Sequence, residues 1–173
     1  MGEANKTGSL LRVDDIHVYY GSIHAIKGIS FEVNEGEIVT LIGANGAGKS
    51  TTMRHLMGFS RWQSGSATIL GYDCWQDYDK IKQHIGYLPG EVALPTGLNG
   101  AEFIQMMQNL RKVKNNERVK YLLEKFELNP NQSVKKMSIG EKRKIAVVTA
   151  FMSDPEVLIL DEPTSGLDPV MQD

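Results

Sequence analysis

The apolar run Ile38-Val39-Thr40-Leu41-Ile42 leads directly into Gly43-Ala44-Asn45-Gly46-Ala47-Gly48-Lys49-Ser50. That octet satisfies G-x-x-x-x-G-K-[ST], and nothing else in the chain restricts the fold as strongly. Glycines let the backbone curl tightly enough for successive N–H groups to face one anion. The arrangement requires a loop that leaves a strand and opens a helix, whose N-terminus contributes partial positive charge. Both flanks comply. The run 38–42 reads as a strand buried on both faces, and Lys49 to Gly58 as a helix closed by glycine. In this frame Lys49 places an ammonium on terminal phosphates, and the Ser50 hydroxyl is a ligand for Mg²⁺.

A complement lies further on, in Val157-Leu158-Ile159-Leu160-Asp161-Glu162. An acid at the end of a strand beside a phosphate loop can hold Mg²⁺ through water, the role expected of Asp161. Glu162 follows it, a second carboxylate where attacking water would sit, and is the candidate general base. A strand ending in an acid is weak evidence alone. Together with the glycine loop it indicates a nucleoside triphosphatase.

The rest of the chain supplies the scaffold. Leu11 to Tyr20, Ile29 to Val33, Ser66 to Leu70 and Ile85 to Leu88 read as strands, and Val157 to Leu160 as a fully buried one. Residues 100–126 read as helical, with Phe103, Met106, Met107 and Leu110 on one stripe. Met137-Ser138-Ile139-Gly140-Glu141-Lys142-Arg143-Lys144 opens another helix, running to about Met152. Ser138 and Glu141 have capping-box spacing. The local residues leave open whether that helix end also holds a phosphate.

Composition narrows the class. With 41% hydrophobic and 23% charged residues and a formal net charge of −2, the 173 residues suit one globular domain without the basic excess of a general nucleic-acid binder. Residues 111–144 carry eleven Lys/Arg against four Asp/Glu, read as a solvated helical face. The single cysteine, Cys74, excludes an intrachain disulfide and fits a reducing compartment. No apolar run is long enough to span a bilayer, so any membrane part is expected from another chain.

With these motifs in this order, the chain resembles the ATP-binding cassette (ABC) ATPases along nearly its whole length. The stretch 137–144 aligns with their LSGGQ signature: Ser138 and Gly140 match, while Ile139 and Glu141 depart. Ser165-Gly166-Leu167-Asp168 looks like the loop that follows the second acidic motif. The resemblance implies an α/β fold: a P-loop (RecA-like) core sheet with an N-terminal antiparallel β subdomain and an α-helical subdomain. The expected layout is 10–94, 95–137 and 138–173, in one nucleotide-binding domain incomplete at its C-terminus. The expected ligands are ATP and Mg²⁺. Gly43, Ala44, Asn45, Gly46, Ala47, Gly48, Lys49, Ser50 and Thr51 take the phosphates, and Tyr20 stacks on adenine, with neighbouring Tyr19 as the alternative. Ser138, Gly140 and Asp168 act across a head-to-tail dimer of identical or different cassettes. Glu162 and Lys49 are the catalytic pair, and Ser50 and Asp161 hold the metal. Glu141 must turn back onto its own helix to avoid opposing a phosphate.

Where the family keeps a glutamine that senses Mg²⁺ and nucleotide, this chain has Gly90, followed by Glu91. It stops soon after Asp168, before the family's switch histidine, and reads as a truncated fragment or a chimera. Residues up to about Gly58 look like branched-chain amino-acid uptake ATPases, and the remainder like exporter-type ones. The implied function is ATP hydrolysis that powers a membrane permease, docked beside residues 87–96. The implied location is the cytoplasm, peripheral on the inner face of the cell membrane, with no nucleic-acid partner. The alternatives are a soluble ABC ATPase acting on ribosomes or nucleic acid, and a fragment that binds nucleotide without turnover.

Overall fold

A computed structural model describes residues 9–44 and 46–163. The chain divides into two compact units between Gln83 and His84.

The first unit is built on a four-stranded antiparallel sheet in the order β2-β1-β3-β4, with β1 at Ser9–Tyr20, β2 at Ile23–Asn34, β3 at Ser64–Ile69 and β4 at Tyr72–Asp73. Gly21, at φ +59°, turns β1 into β2, and Tyr20 pairs with Ile23 beside the turn. Leu11, Val13, Ile16 and Val18 of β1 are buried. The alternation skips one place between Val13 and Ile16 because the ladder shifts register there, and Asp15 takes φ +47°. The extra residue returns the apolar set to the same face. Ala67, Ile69 and Ile26 complete that core with Leu56 and Met57, which end the helix α1 (Lys49–Leu56) and begin the turn after it. The short helix α2 (Tyr78–Ile81) buries Ile81. Cys74 is fully buried, and burial together with nearby Asp73 pushes its thiol pKa up to about 12, so it is a packing residue.

The run 38–42 departs from its expected form. It lies outside every strand of the described residues, and Ile38 and Ile42 are 96% and 91% exposed. An apolar β-branched run encodes a need for neighbouring strands but does not specify which ones, and none of the sheet's four strands pairs with it.

In the second unit β5 (Ile85–Leu88) and β6 (Val157–Leu160) pair in parallel, with Ile85 opposite Val157 and Leu88 opposite Leu160. A parallel pair needs a long crossover. Here it contains α3 (Gly100–Arg111), α4 (Asn116–Lys125) and α5 (Ile139–Phe151). Asn99 and Glu102 form a capping box that starts α3, and the Asn115 side chain caps α4. Phe103, Ile104, Leu122, Val134, Met137, Ile145, Val148 and Met152 form the core between the helices. Full burial of side chains such as Ile145 and Val148 contributes about 1.5–3 kcal/mol each. Ala146 and Ala150 pack on Leu88, and a Cβ added at Gly86 would lie 2.2 Å from the Ala150 carbonyl oxygen. Small residues on both surfaces therefore bring α5 close to β5.

Two sequence expectations are corrected here. Leu110 is 71% exposed, and Ile104 takes its place in the buried stripe, because the packed face of α3 follows 103, 104 and 107. Strand β6 is buried at Val157 and Ile159 but not at Leu158, which is 39% exposed, since among the described residues β6 has one neighbouring strand and one packed face.

Candidate functional site: a glycine loop and a carboxylate strand end

In the first unit, Gly46 and Gly48 adopt φ +85° and +86°, the left-handed region that glycine enters without strain. Gly48 is the N-cap of α1 and makes no side-chain cap bond, and the first helical turn holds no acid. A Cβ added at Gly48 would stand 3.3 Å from Ile26 Cγ1, so the missing side chain lets the helix start against β2. Lys49 Nζ donates to the carbonyl oxygens of Gly43 at 2.6 Å and Ala44 at 3.1 Å, folding the ammonium over the loop. Ser50 and Thr51 follow in the first turn, both half-buried. An uncapped helix start, a flexible glycine loop and one aimed ammonium together fit a multiply charged phosphate. Ala44, Gly46 and Ala47 line the exposed rim of the loop, and Asn45 lies outside the described residues.

The tyrosine pair divides its roles. The Tyr19 ring stacks on His24, with centroids 4.0 Å apart and planes 9° apart, and its N–H donates to Gln63 Oε1. Tyr20 is 54% exposed. Tyr19 is also exposed, at 41%, with its ring against His24.

In the second unit, Asp161 is buried just past β6, and its N–H donates to the Leu88 carbonyl at 2.9 Å, one step beyond the ladder. Glu162 is exposed and takes φ +49°, uncommon for a residue with a side chain. Gly90 packs against the carboxylate: a Cβ there would lie 3.0 Å from Asp161 Oδ2. A side chain at the position where a glutamine was anticipated would therefore press on the Asp161 carboxylate, which would have to give by a few tenths of an ångström, while Glu91 is exposed.

Residues 137–144 start α5 as their spacing requires. The Ser138 N–H donates to Glu141 Oε2 at 2.7 Å, and the Glu141 N–H donates to Ser138 Oγ at 3.1 Å. These bonds hold the Glu141 carboxyl below its usual pKa, with the Ser138 backbone bond the largest cause. A depressed carboxylate pKa stabilises the fold above the unfolded-state value and loses that contribution as pH falls through the folded-state value. Glu141→Gln keeps the cap geometry and removes the charge. It should cost less than about 1 kcal/mol at pH 7, a cap-sized effect screened by solvent, and less than that at pH 3. Urea denaturation of both proteins at the two pH values checks this. Ser138 itself is exposed, Ile139 is 77% exposed and Gly140 is half-buried.

One residue that the motif reading passed over stands at the centre of this unit. Arg143 is 3% exposed. Its Nη1 donates to the carbonyls of Pro89 at 2.5 Å and Gly90 at 2.9 Å. Its Nη2 donates to the carbonyls of Asp161 at 2.6 Å and Glu162. Burial pulls its pKa below the ordinary guanidinium value, partly offset by the Asp161 and Glu162 carboxylates. The sequence did carry a signal: a cation at the head of the small-residue face formed by Ala146 and Ala150, one helical stripe.

A family model described as "ABC transporter" matches residues 26–165, most of the chain. The chain belongs to the ABC transporter family. The linearmycin resistance ATP-binding protein LnrL of Bacillus subtilis is 36% identical over 165 residues, 92% of this chain and 53% of that protein, so the chain spans about half of that relative's length. A solved ATP-binding subunit of an ABC transporter superposes with a TM-score of 0.85 at 32% identity, covering 93% of this chain and 69% of that one. The cassette MJ0796, solved as a dimer in a post-hydrolysis state bound to ADP and Pi, shares the fold at a TM-score of 0.81 and 22% identity, over 92% of this chain and 77% of that one. The fold is therefore the mixed α/β fold of an ABC cassette, with its antiparallel β part and its helices. The glycine loop lies within the matched residues, as does the Asp161-Glu162 pair. Asp168 lies outside both the match and the described residues.

Proposed function

We propose that this ABC cassette binds and hydrolyses ATP to power solute movement through a separate membrane permease, by closing head-to-tail on a second cassette. The observation that carries this reading is the uncapped start of α1, where the glycine loop and Lys49 meet. Gly43 to Thr51 hold the phosphates, and Tyr20 stacks on the adenine. Ser138 and Gly140, at the exposed start of α5, face the γ-phosphate bound by a partner cassette, with Asp168 near it. A helix N-terminus is suited to that contact, and the engagement of Glu141 with Ser138 keeps its charge turned to its own helix.

Ser50 would offer a hydroxyl oxygen and Asp161 a carboxylate, each a donor type that suits Mg²⁺. When bound, Mg²⁺ neutralises charge on the transferring phosphate. The chain's own residues do the rest: Lys49 binds the terminal phosphates, and Glu162 takes the proton of the attacking water. Among the described residues no helix is long and apolar enough to cross a membrane. In this reading the permease is a separate chain and the cassette works at the membrane's cytoplasmic face.

Four of the eleven cations in 111–144 point inward to backbone carbonyls: Arg111 to Ile85, Arg118 to Phe151, Lys144 to Phe126, and Arg143 as described. That internal use favours a structural reading of the basic segment over a nucleic-acid surface. Phosphate release from Mg-ATP by the purified protein tests the proposal. Release that depends on Mg²⁺ is expected, and tight ATP binding without any release would contradict it.

A further inference from the structure

We infer that Arg143 is a positioning residue for hydrolysis: its guanidinium ties the start of α5 to the backbone at both strand ends and holds Glu162 in its working conformation. The inference rests on Glu162 being the general base. The carbonyls of Pro89, Gly90, Asp161 and Glu162 all lie past the last paired residues, Leu88 and Leu160, where the ladder offers them no donor. Arg143 supplies one to each, two from Nη1 and two from Nη2. Its Nε is buried and has no partner among the described residues, so the bonds they provide run through the two Nη atoms. The planar fork matters because it presents both pairs of donors in fixed directions. A lysine ammonium is a single point on a flexible stem and cannot reproduce them.

Glu162 is where this tether bears on chemistry. Its φ of +49° lies in the left-handed region, which is disfavoured for a residue with a side chain and calls for a constraint to hold it. The Arg143 bond to the Glu162 carbonyl, next to the bond to the Asp161 carbonyl, provides that constraint. Because Arg143 sits five residues after Ser138 on the same helix, any movement of the α5 start is transmitted to the Glu162 backbone. The helix end that would meet a partner's nucleotide and the carboxylate that would activate water are thereby mechanically joined through one side chain.

The test combines Arg143→Lys with Glu162→Gln, alone and together. Arg143→Lys should lower kcat by about 10- to 100-fold, a misplacement effect, while ATP affinity stays within about threefold. In the Glu162→Gln background the same change should cost nothing further, because the group it positions is already gone. Equal losses in both backgrounds, or wild-type kcat in Arg143→Lys, would overturn the inference and leave the proposed function standing. An unmodified protein that releases no phosphate overturns both. A second measurement needs no variant: NMR of the unmodified protein should show Arg143 Nη protons in slow exchange and coupled to the Asp161 and Glu162 carbonyl carbons. A freely rotating guanidinium would refute the tether even if Arg143→Lys failed to fold.

Discussion

Lys49→Ala should weaken ATP binding by at least about 30-fold, with the melting temperature of the nucleotide-free protein nearly unchanged. In the structure the ammonium contacts the loop's own carbonyls, Gly43 and Ala44, at a half-exposed position. Removing it deletes two hydrogen bonds that water can replace, so folding loses little. A bound triphosphate has no such substitute. Truncating one member of a desolvated charge pair costs about 2–5 kcal/mol, from roughly thirtyfold to several thousandfold in affinity. Titration calorimetry with ATP checks the binding, and calorimetric melting checks the fold. Binding within a few-fold of wild type would remove the phosphate role from the loop.

Glu162→Gln separates binding from chemistry. The amide has nearly the same shape but cannot accept a proton, so turnover should fall by about 10²- to 10⁴-fold while ATP affinity is retained. Retention is expected because Glu162 is exposed at the end of β6, and its contact with Arg143 is made by its backbone, which the substitution leaves in place. Single-turnover phosphate release measures the loss. A variant that hydrolyses at the wild-type rate would show that another group handles the proton, and the positioning role of Arg143 would fall with it.

The glycine loop was legible in the sequence because its chemistry is local. Eight consecutive residues specify curvature and a helix start, and the structure shows Gly46 and Gly48 at positive φ and α1 opening at Lys49. The capping box of α5 was legible for the same reason, since Ser138 and Glu141 satisfy one another within a single turn. Strand β6 was legible as an element but not in its burial, because exposure of Leu158 depends on which neighbours the sheet acquires. The run 38–42 shows the same limit more sharply: its composition states a need for partners that no local pattern can supply. Arg143 was missed because its meaning is wholly non-local. Its acceptors lie 53 and 54 residues before it and 18 and 19 after it, and a lysine- and arginine-rich stretch reads as solvated surface until the packing is known. Gly90 read as a missing side chain, and only the structure shows that it lies directly against the Asp161 carboxylate.

Sedimentation velocity of Glu162→Gln with and without Mg-ATP tests most directly whether this cassette works by closing on a second copy. With nucleotide retained and hydrolysis blocked, the protein should shift from monomer to dimer on addition of Mg-ATP, and Ser138→Arg at the exposed start of α5 should abolish the shift. A monomer that persists at saturating Mg-ATP, with binding verified in the same sample, would contradict the head-to-tail reading.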